Sequence, residues 1–69
     1  GQQRSVPLLM SLLEDGDTLI RTSAIDSLLR CFDTAPLKRL GQMMKDDPDA
    51  DVRSRARIAF KALTLDKFF

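Results

Sequence analysis

The 69-residue chain contains no histidine, tryptophan or tyrosine, and it has a single cysteine. Without histidine, the most common general base and metal ligand is missing, and neither a glycine-rich phosphate loop nor another nucleophile–base pair replaces it. One cysteine, Cys31, cannot form an internal disulfide, and no apolar run approaches the length of a membrane span. We therefore expect a protein that is not an enzyme, that holds no cofactor or metal, and that is soluble, intracellular and cytoplasmic.

Charge of one sign is not in excess either. Lysine and arginine total 11 against 10 aspartate and glutamate residues, which gives a net charge of +1. A chain so close to neutrality is not attracted as a whole to nucleic acid or to a membrane surface. Any such binding would have to come from a local patch.

Strand patterns are scarce, because no stretch alternates apolar with polar residues. Apolar residues instead recur every three to four positions in four segments, which is typical of amphipathic helices. This periodicity predicts helices near residues 5–14, 17–32, 35–46 and 49–64. The predicted fold is all-α, with two antiparallel helical hairpins stacked side by side.

Residues that cap helices mark the predicted starts. Ser5 and Thr34 each stand two positions before a proline, which suits the first turn of a helix because its missing N–H has no partner there. Asp17 and Asp49 are the predicted caps of the second and fourth helices, where a carboxylate also faces the positive end of the helix dipole.

An aspartate-rich segment occurs twice in the chain. Residues 47–53 read Asp-Pro-Asp-Ala-Asp-Val-Arg, and residues 15–21 read Asp-Gly-Asp-Thr-Leu-Ile-Arg. Internal similarity at such a period, 32 residues, is typical of stacked helical repeats. We therefore divide a single domain, residues 1–69, into repeat 1 at about 5–33, repeat 2 at about 34–64 and a tail at 65–69.

Residues 43–53 resemble the helix–turn–helix junction of a HEAT repeat, the two-helix unit of many curved scaffolds. Ala56 and Leu63 continue the pattern, and the resemblance to HEAT-like or armadillo-like α-helical repeats covers most of the chain. It implies a right-handed α-solenoid that most commonly binds proteins, with nucleic-acid binding in a minority of members. It implies no particular reaction.

The resemblance also gives a structural role to the aspartates and arginines of the repeated segment. The family's aspartate lies six residues before its arginine. Asp47 and Arg53 keep this spacing, and so do Asp15 and Arg21. In the family these residues form a ladder of ion pairs and hydrogen bonds between neighbouring repeats.

Equivalent positions of the two repeats differ in polarity. Ile25 and Leu29 in repeat 1 correspond to Arg57 and Lys61 in repeat 2, whereas repeat 2 is apolar on the opposite side of its second helix. Both outer ends would then be comparatively polar, as in a nearly self-capped module. We predict a joint in which Leu9, Leu13, Ile25 and Leu29 face Met43, Ile58 and Ala62.

Five basic residues form the candidate partner-binding surface. Arg53, Arg57 and Lys61 recur every four residues, and Lys38 and Lys45 should lie on the same outer flank. This surface suits an acidic partner or a nucleic-acid backbone. An ordinary solvated face, with Arg53 bound to Asp47, is the favoured explanation, because basic helical faces are common and the net charge is near zero. We expect no aromatic side chain among these cations, and therefore no platform on which bases could stack.

The aspartates of residues 46–51 also alternate in the manner of a calcium-binding loop. Such a loop needs glycine at its sixth position and glutamate at its twelfth. Those positions hold Val52 and Ile58, so we interpret the aspartates as caps and turn residues.

The sequence thus favours a non-catalytic protein–protein interaction or scaffold module that works within a larger protein or assembly. The alternative is binding of a nucleic-acid backbone or another acidic polymer through the basic face. A third interpretation is a spacer or oligomerisation unit that self-associates through the apolar residues Val6, Met10, Phe68 and Phe69.

Overall fold

The computed structural model describes residues 2–31 and 33–65, with side chains from Val6 onward. This part of the chain contains four helices: α1 (Gln2–Leu12), α2 (Thr18–Cys31), α3 (Leu37–Asp46) and α4 (Ala50–Leu65). α1 packs against α2 and α3 packs against α4, which gives hairpin 1 and hairpin 2. The hairpins stack through α2 and α4, so the predicted all-α architecture is confirmed.

Aspartates cap the second helix of each hairpin, as predicted. The Asp17 Oδ1 atom accepts a hydrogen bond from the backbone N–H of Leu19 at 2.8 Å. The Asp49 Oδ1 atom accepts two, from the N–H groups of Asp51 at 2.8 Å and Val52 at 3.1 Å. Both carboxylates satisfy amides that have no partner within the helix.

The first helices begin at other residues than predicted. α1 starts at Gln2, so Ser5 does not cap it and the proline at position 7 lies inside the helix. α3 starts at Leu37, and the turn before it is stabilised by Asp33, whose Oδ1 accepts from the N–H of Ala35 at 2.8 Å. The assignment of Thr34 as a cap is therefore wrong. α4 ends at Leu65, so this residue belongs to the helix and not to the predicted tail.

The hydrophobic core runs through both hairpins and across the joint between them. The partly buried Leu29, Met44 and Phe60 pack against its edge. Because α1 and α3 each contribute buried side chains beside those of α2 and α4, neither hairpin has a separate core. The buried apolar residues are Val6, Leu13, Ala24, Ile25, Leu28, Leu40, Met43, Val52, Ala56, Ala59 and Leu63.

One residue of the predicted apolar joint faces solvent. Ile58 is 59% exposed, so its assignment to the joint is wrong, whereas Leu13, Ile25 and Met43 are buried as expected. The edge of α4 beside α2 is instead occupied by Arg55, which binds Asp26. Ile58 lies about 60° further round α4, towards solvent.

A buried ion pair crosses the joint between the hairpins. The Arg21 Nε and Nη2 atoms of α2 donate to the Asp47 Oδ2 and Oδ1 atoms at 3.1 and 3.2 Å. Both side chains are largely inaccessible, with 11% of Arg21 and 6% of Asp47 exposed. Asp47 Oδ1 also accepts from the N–H of Asp49 at 2.9 Å. The buried Asp47 carboxylate needs these N–H donors from Arg21 and Asp49, because an ionised group without partners is costly to bury.

Each arginine of the repeated segment also closes the turn in its own hairpin. Arg21 Nη1 donates to the backbone carbonyl of Asp15 at 2.8 Å, and Arg53 Nη1 donates to that of Asp47 at 2.6 Å. The six-residue spacing therefore joins an arginine to a carbonyl oxygen. It leaves the Asp47 carboxylate available to Arg21 of the other hairpin.

Two exposed ion pairs join the hairpins as well. Arg39 of α3 binds Glu14 through two hydrogen bonds, and Arg55 of α4 binds Asp26 of α2 at 2.9 Å. The hydrogen bonds from Arg39 hold the pKa of Glu14 below its ordinary value, against the opposing effect of partial burial. All three cross-hairpin ion pairs of the described residues thus use an arginine, which can bind a carboxylate with two N–H groups.

Replacing Arg21 by methionine should destabilise the chain by about 3–5 kcal/mol, because the buried Asp47 carboxylate would lose its counterion. Urea unfolding followed by circular dichroism measures the loss. The matched control, Arg39→Met, removes an exposed pair and should cost about 0.2–1 kcal/mol. Equal losses from the two substitutions would show that the buried pair is not the stronger constraint.

The Glu14–Arg39 pair should make stability depend on pH in one direction. Because the folded state lowers the pKa of Glu14, the stabilisation is complete above the ordinary glutamate pKa of about 4.3. It is lost as the pH falls through the lower, folded-state value. Relative to Glu14→Gln, the native chain should be more stable by about 0.2–1 kcal/mol at pH 7, and the difference should shrink below about pH 4. A difference that stays constant down to pH 2 would contradict this.

Candidate functional site

The candidate site is built from α3 and α4 and carries four exposed cations. Lys38 and Lys45 lie two turns apart on one side of α3, and Arg57 and Lys61 lie one turn apart on α4. We call these four residues the basic face. All four were predicted from the helical spacing.

The basic face points away from hairpin 1. Arg55 marks the side of α4 that is next to α2, because it binds Asp26 there. Arg57 follows two residues later and is therefore rotated by about 200° from Arg55. The cations consequently stand at the outer end of hairpin 2.

A groove of about 420 Å³ runs along this face between the two helices. Lys38 and Lys45 lie at its rim together with Gln42 and Asp46. A Cβ atom at Gly41 would lie 3.3 Å from Phe60 Cε2, so the glycine lets the phenyl ring approach α3 closely. The apolar part of the groove is formed by Leu37, Gly41, Met44 and Phe60.

The cations of the basic face differ from the arginines that hold the fold. Arg21, Arg39 and Arg55 each bind a carboxylate of the other hairpin. None of the four cations of the basic face forms an ion pair with a residue in the described part of the chain. Within residues 2–31 and 33–65, their charges are therefore not neutralised by a direct contact.

Arg53 was grouped with these cations but has a different environment. It is half-buried, and its Nη1 atom donates to the backbone carbonyl of Asp47 at 2.6 Å. Its guanidinium is thus held at the turn between α3 and α4, and four of the five predicted residues remain as candidate contacts.

An aromatic residue does lie among the cations, contrary to prediction. Phe60 stands between Arg57 and Lys61 in the sequence and lines the groove beside Lys38. Its ring is partly buried against the core, and its Cε2 atom is the one nearest to Gly41. The sequence held this signal, because residues 57 and 60 are neighbours on one side of a helix.

Hairpin 1 carries a second, apolar groove at the opposite end of the stack. It has a volume of about 430 Å³, and Leu9 and Leu12 of α1 line it together with Leu19, Ile20, Ser23, Ala24 and Ser27 of α2. The expectation that both outer ends are polar is therefore wrong at this end. Leu9, which was predicted to face the joint, lines this groove instead. Charged side chains are missing because the α2 positions that line the groove hold leucine, isoleucine, alanine and serine.

The residues proposed for self-association are placed differently from what was expected. Val6 is buried in the core, so it offers no surface to a second copy, and Met10 is partly buried against the core. Phe68 and Phe69 lie outside the described residues.

The described residues contain no group of three histidine, cysteine, aspartate or glutamate side chains placed to hold a metal ion. The Asp47 and Asp49 oxygens accept hydrogen bonds from Arg21 and from backbone N–H groups. Among the helices that the structure describes, none has the length and apolar character needed to span a membrane.

Comparison with known proteins assigns the family. The model of the family described as HEAT repeats matches residues 1–61. No curated protein and no solved structure matches the chain significantly. HEAT repeats generally mediate protein–protein interactions or serve as scaffolds, and the family is generally non-catalytic. Because the match covers most of the sequence and the helices form two stacked hairpins, the chain belongs to the HEAT-repeat family.

Proposed function

We propose that the chain is a non-catalytic interaction module that binds another protein through the basic face. The observation that carries this proposal is the distribution of cations. Three arginines hold the hairpins together, whereas the four cations of the basic face form no ion pair with a described residue. Lys38 and Lys45 line an open groove, and Arg57 and Lys61 lie on α4 next to Phe60 of that groove. The partner would supply carboxylates to these four side chains.

Rigidity is the second support for the proposal. α3 and α4 pack directly on each other, and three ion pairs and a shared core join them to hairpin 1, so the basic face is held in one shape. A backbone that is already ordered loses little conformational freedom when a partner binds, so that only the side chains have to be ordered. The contacts with the partner then do not have to offset the free energy of ordering α3 and α4.

The groove favours a protein over a nucleic acid as the partner. Its walls include Leu37, Met44 and Phe60, which can contact an apolar side chain of a protein partner. A phosphate backbone has no apolar group to place there. The net charge of +1 also gives no general attraction to a polyanion. Binding of a nucleic-acid backbone or another acidic polymer stays the second candidate, because Phe60 lies beside the cations.

Site-specific photocrosslinking in the protein as its own cells make it tests the proposal. A photoreactive residue replaces Gln42 at the groove, and a control replaces Thr34, which is exposed in the turn before α3. We expect protein adducts at position 42 and not at 34. Arg57→Glu should reduce them about fivefold, because reversing one charge of the basic face weakens association with an acidic partner.

The matched control for this substitution is Arg30→Glu. Arg30 is also an exposed arginine on a second helix, it has no ion pair with a described residue, and its reversal changes the net charge by the same amount. Adduct yield should be unchanged by Arg30→Glu. Equal effects of the two reversals, or adducts that survive Arg57→Glu, would exclude the basic face as the binding surface.

A salt titration with a 20-nucleotide single-stranded DNA tests the second candidate. A backbone binder that uses four cations should show a slope of about −3 in a plot of log K against log salt concentration. We expect no binding at physiological ionic strength. A slope near −3 that Arg57→Glu reduces would favour the nucleic-acid alternative instead.

A further inference from the structure

The groove between α3 and α4 has its apolar part at the centre and its lysines towards the two ends. Gly41 and Phe60 meet at the centre, where a Cβ atom on Gly41 would lie 3.3 Å from Phe60 Cε2. Lys38 comes three residues before Gly41 and Lys45 four residues after it. The two lysines therefore lie about 4.5 and 6 Å from the centre, measured along the axis of α3. A ligand that reaches both of them must pass over the apolar centre.

α4 adds positive charge at similar levels. Since α3 and α4 run in opposite directions and Phe60 lies beside Gly41, Arg57 stands about level with Lys45. Lys61 follows Phe60 directly in the sequence and stands near the centre. The groove thus offers cations on both sides of an apolar contact surface.

We propose that this groove binds an extended acidic segment of another protein, with one bulky apolar side chain over Gly41 and Phe60 and a carboxylate on either side. This inference rests on the proposed function, because it names the kind of partner that the basic face binds. The charge of the segment complements that of the groove. Its apolar side chain covers the part of Leu37, Met44 and Phe60 that the core leaves accessible.

The size of the groove favours an extended segment over a helix. The groove has a volume of about 420 Å³. A helix with its side chains is about 10–12 Å across and rises about 5.4 Å per turn, so that a single turn takes up about 500 Å³. A helix would consequently have to stay above the groove. An extended chain can keep its backbone at the rim and place single side chains inside.

The positions of the two lysines determine where the segment carries its carboxylates. In an extended chain, residues two apart point to the same side and lie about 6.6 Å from each other. Acidic residues two positions before and two positions after the apolar residue therefore point into the groove with it, close to the levels of Lys38 and Lys45. The flexible stem of a lysine side chain covers the remaining difference of about 2 Å or less.

Nuclear magnetic resonance of the full, isotope-labelled chain tests the proposal with a defined peptide. The acidic probe is Gly-Ser-Asp-Ser-Leu-Ser-Asp-Ser-Gly, acetylated and amidated at its ends so that only the two aspartates carry charge. We expect saturable shifts of the backbone amides of Gly41 and Gln42, with Kd below about 1 mM, and none at Ser23 and Ser27 in the groove of hairpin 1. Nuclear Overhauser contacts should join the leucine methyl groups to the Phe60 ring.

Altered peptides separate the apolar contact from the charged ones. Alanine in place of the leucine, or asparagine in place of both aspartates, should weaken binding about fivefold or more, because each change removes one of the two kinds of contact. A scrambled peptide of the same composition, with both aspartates at one end, is the matched control for total charge. It should bind about threefold more weakly or worse, because only one end of the groove is then neutralised.

Charge reversal in the chain provides the converse test. The double variant Lys38→Glu, Lys45→Glu should lose binding of the acidic probe and should gain binding of a peptide that has lysine in place of each aspartate. The matched control Arg30→Glu changes an exposed arginine outside the groove and should leave both affinities within about twofold. Circular dichroism of each variant checks that its helix content is retained.

Asp46 is the only carboxylate among the described residues that line the groove. It is exposed and follows Lys45, so it repels a carboxylate of the ligand at that end. Asp46→Asn should therefore tighten binding of the acidic probe by about twofold. Weaker binding by this variant would contradict a carboxylate beside Lys45.

The proposal is wrong if the acidic probe gives no saturable shifts at concentrations up to about 1 mM, or if the double variant does not bind the lysine peptide. A helical circular dichroism signal that appears in the bound peptide would contradict the extended conformation. The photocrosslinking experiment separates this inference from the proposed function. Protein adducts at position 42 that Arg57→Glu reduces, together with a probe that does not bind, would refute only the acidic segment as the occupant. The absence of both would refute the basic face as a binding surface as well.

Discussion

The buried contact between Arg21 and Asp47 is the constraint on which the rest of the structure depends. Asp47 stands where the chain turns from α3 into α4, and its carboxylate is bound by an arginine from α2 and by the N–H of Asp49. Because a buried carboxylate must keep its donors, the position of hairpin 2 along α2 is fixed. The apolar contacts of the joint, which are not directional, then close around this fixed point.

The charged residues divide into two groups by location. Aspartates lie mostly at the turns, where they cap helices and stabilise the backbone, and three arginines reach across the joint to carboxylates. These roles account for most of the acidic side chains among the described residues. Lys38 and Lys45 of α3 and Arg57 and Lys61 of α4 lie together on hairpin 2. A nearly neutral chain thereby has one basic surface.

The four helices and the aspartate caps of α2 and α4 depend on local sequence patterns. They could therefore be predicted from the sequence. The partner of Arg21 was not predictable from spacing, because it lies 26 residues away in the other hairpin. Ser5 and Thr34 failed as caps because α1 begins earlier and a buried proline turn precedes α3. Ile58 failed because a repeat alignment gives an angle around a helix but not where the neighbouring helix crosses it. The basic face was predictable, since exposed cations at helical spacing need no knowledge of the joint.

The unlike ends of the molecule have a consequence for assembly. A repeat whose two ends complement each other can add copies without limit, and such head-to-tail contacts produce open filaments. Here the end that hairpin 2 presents carries Lys38, Lys45, Arg57 and Lys61, while the other end is apolar and uncharged. The stack consequently has a direction, because its two ends differ in charge and polarity. Four side chains of hairpin 2 thereby oppose the formation of fibres by head-to-tail copies of this chain.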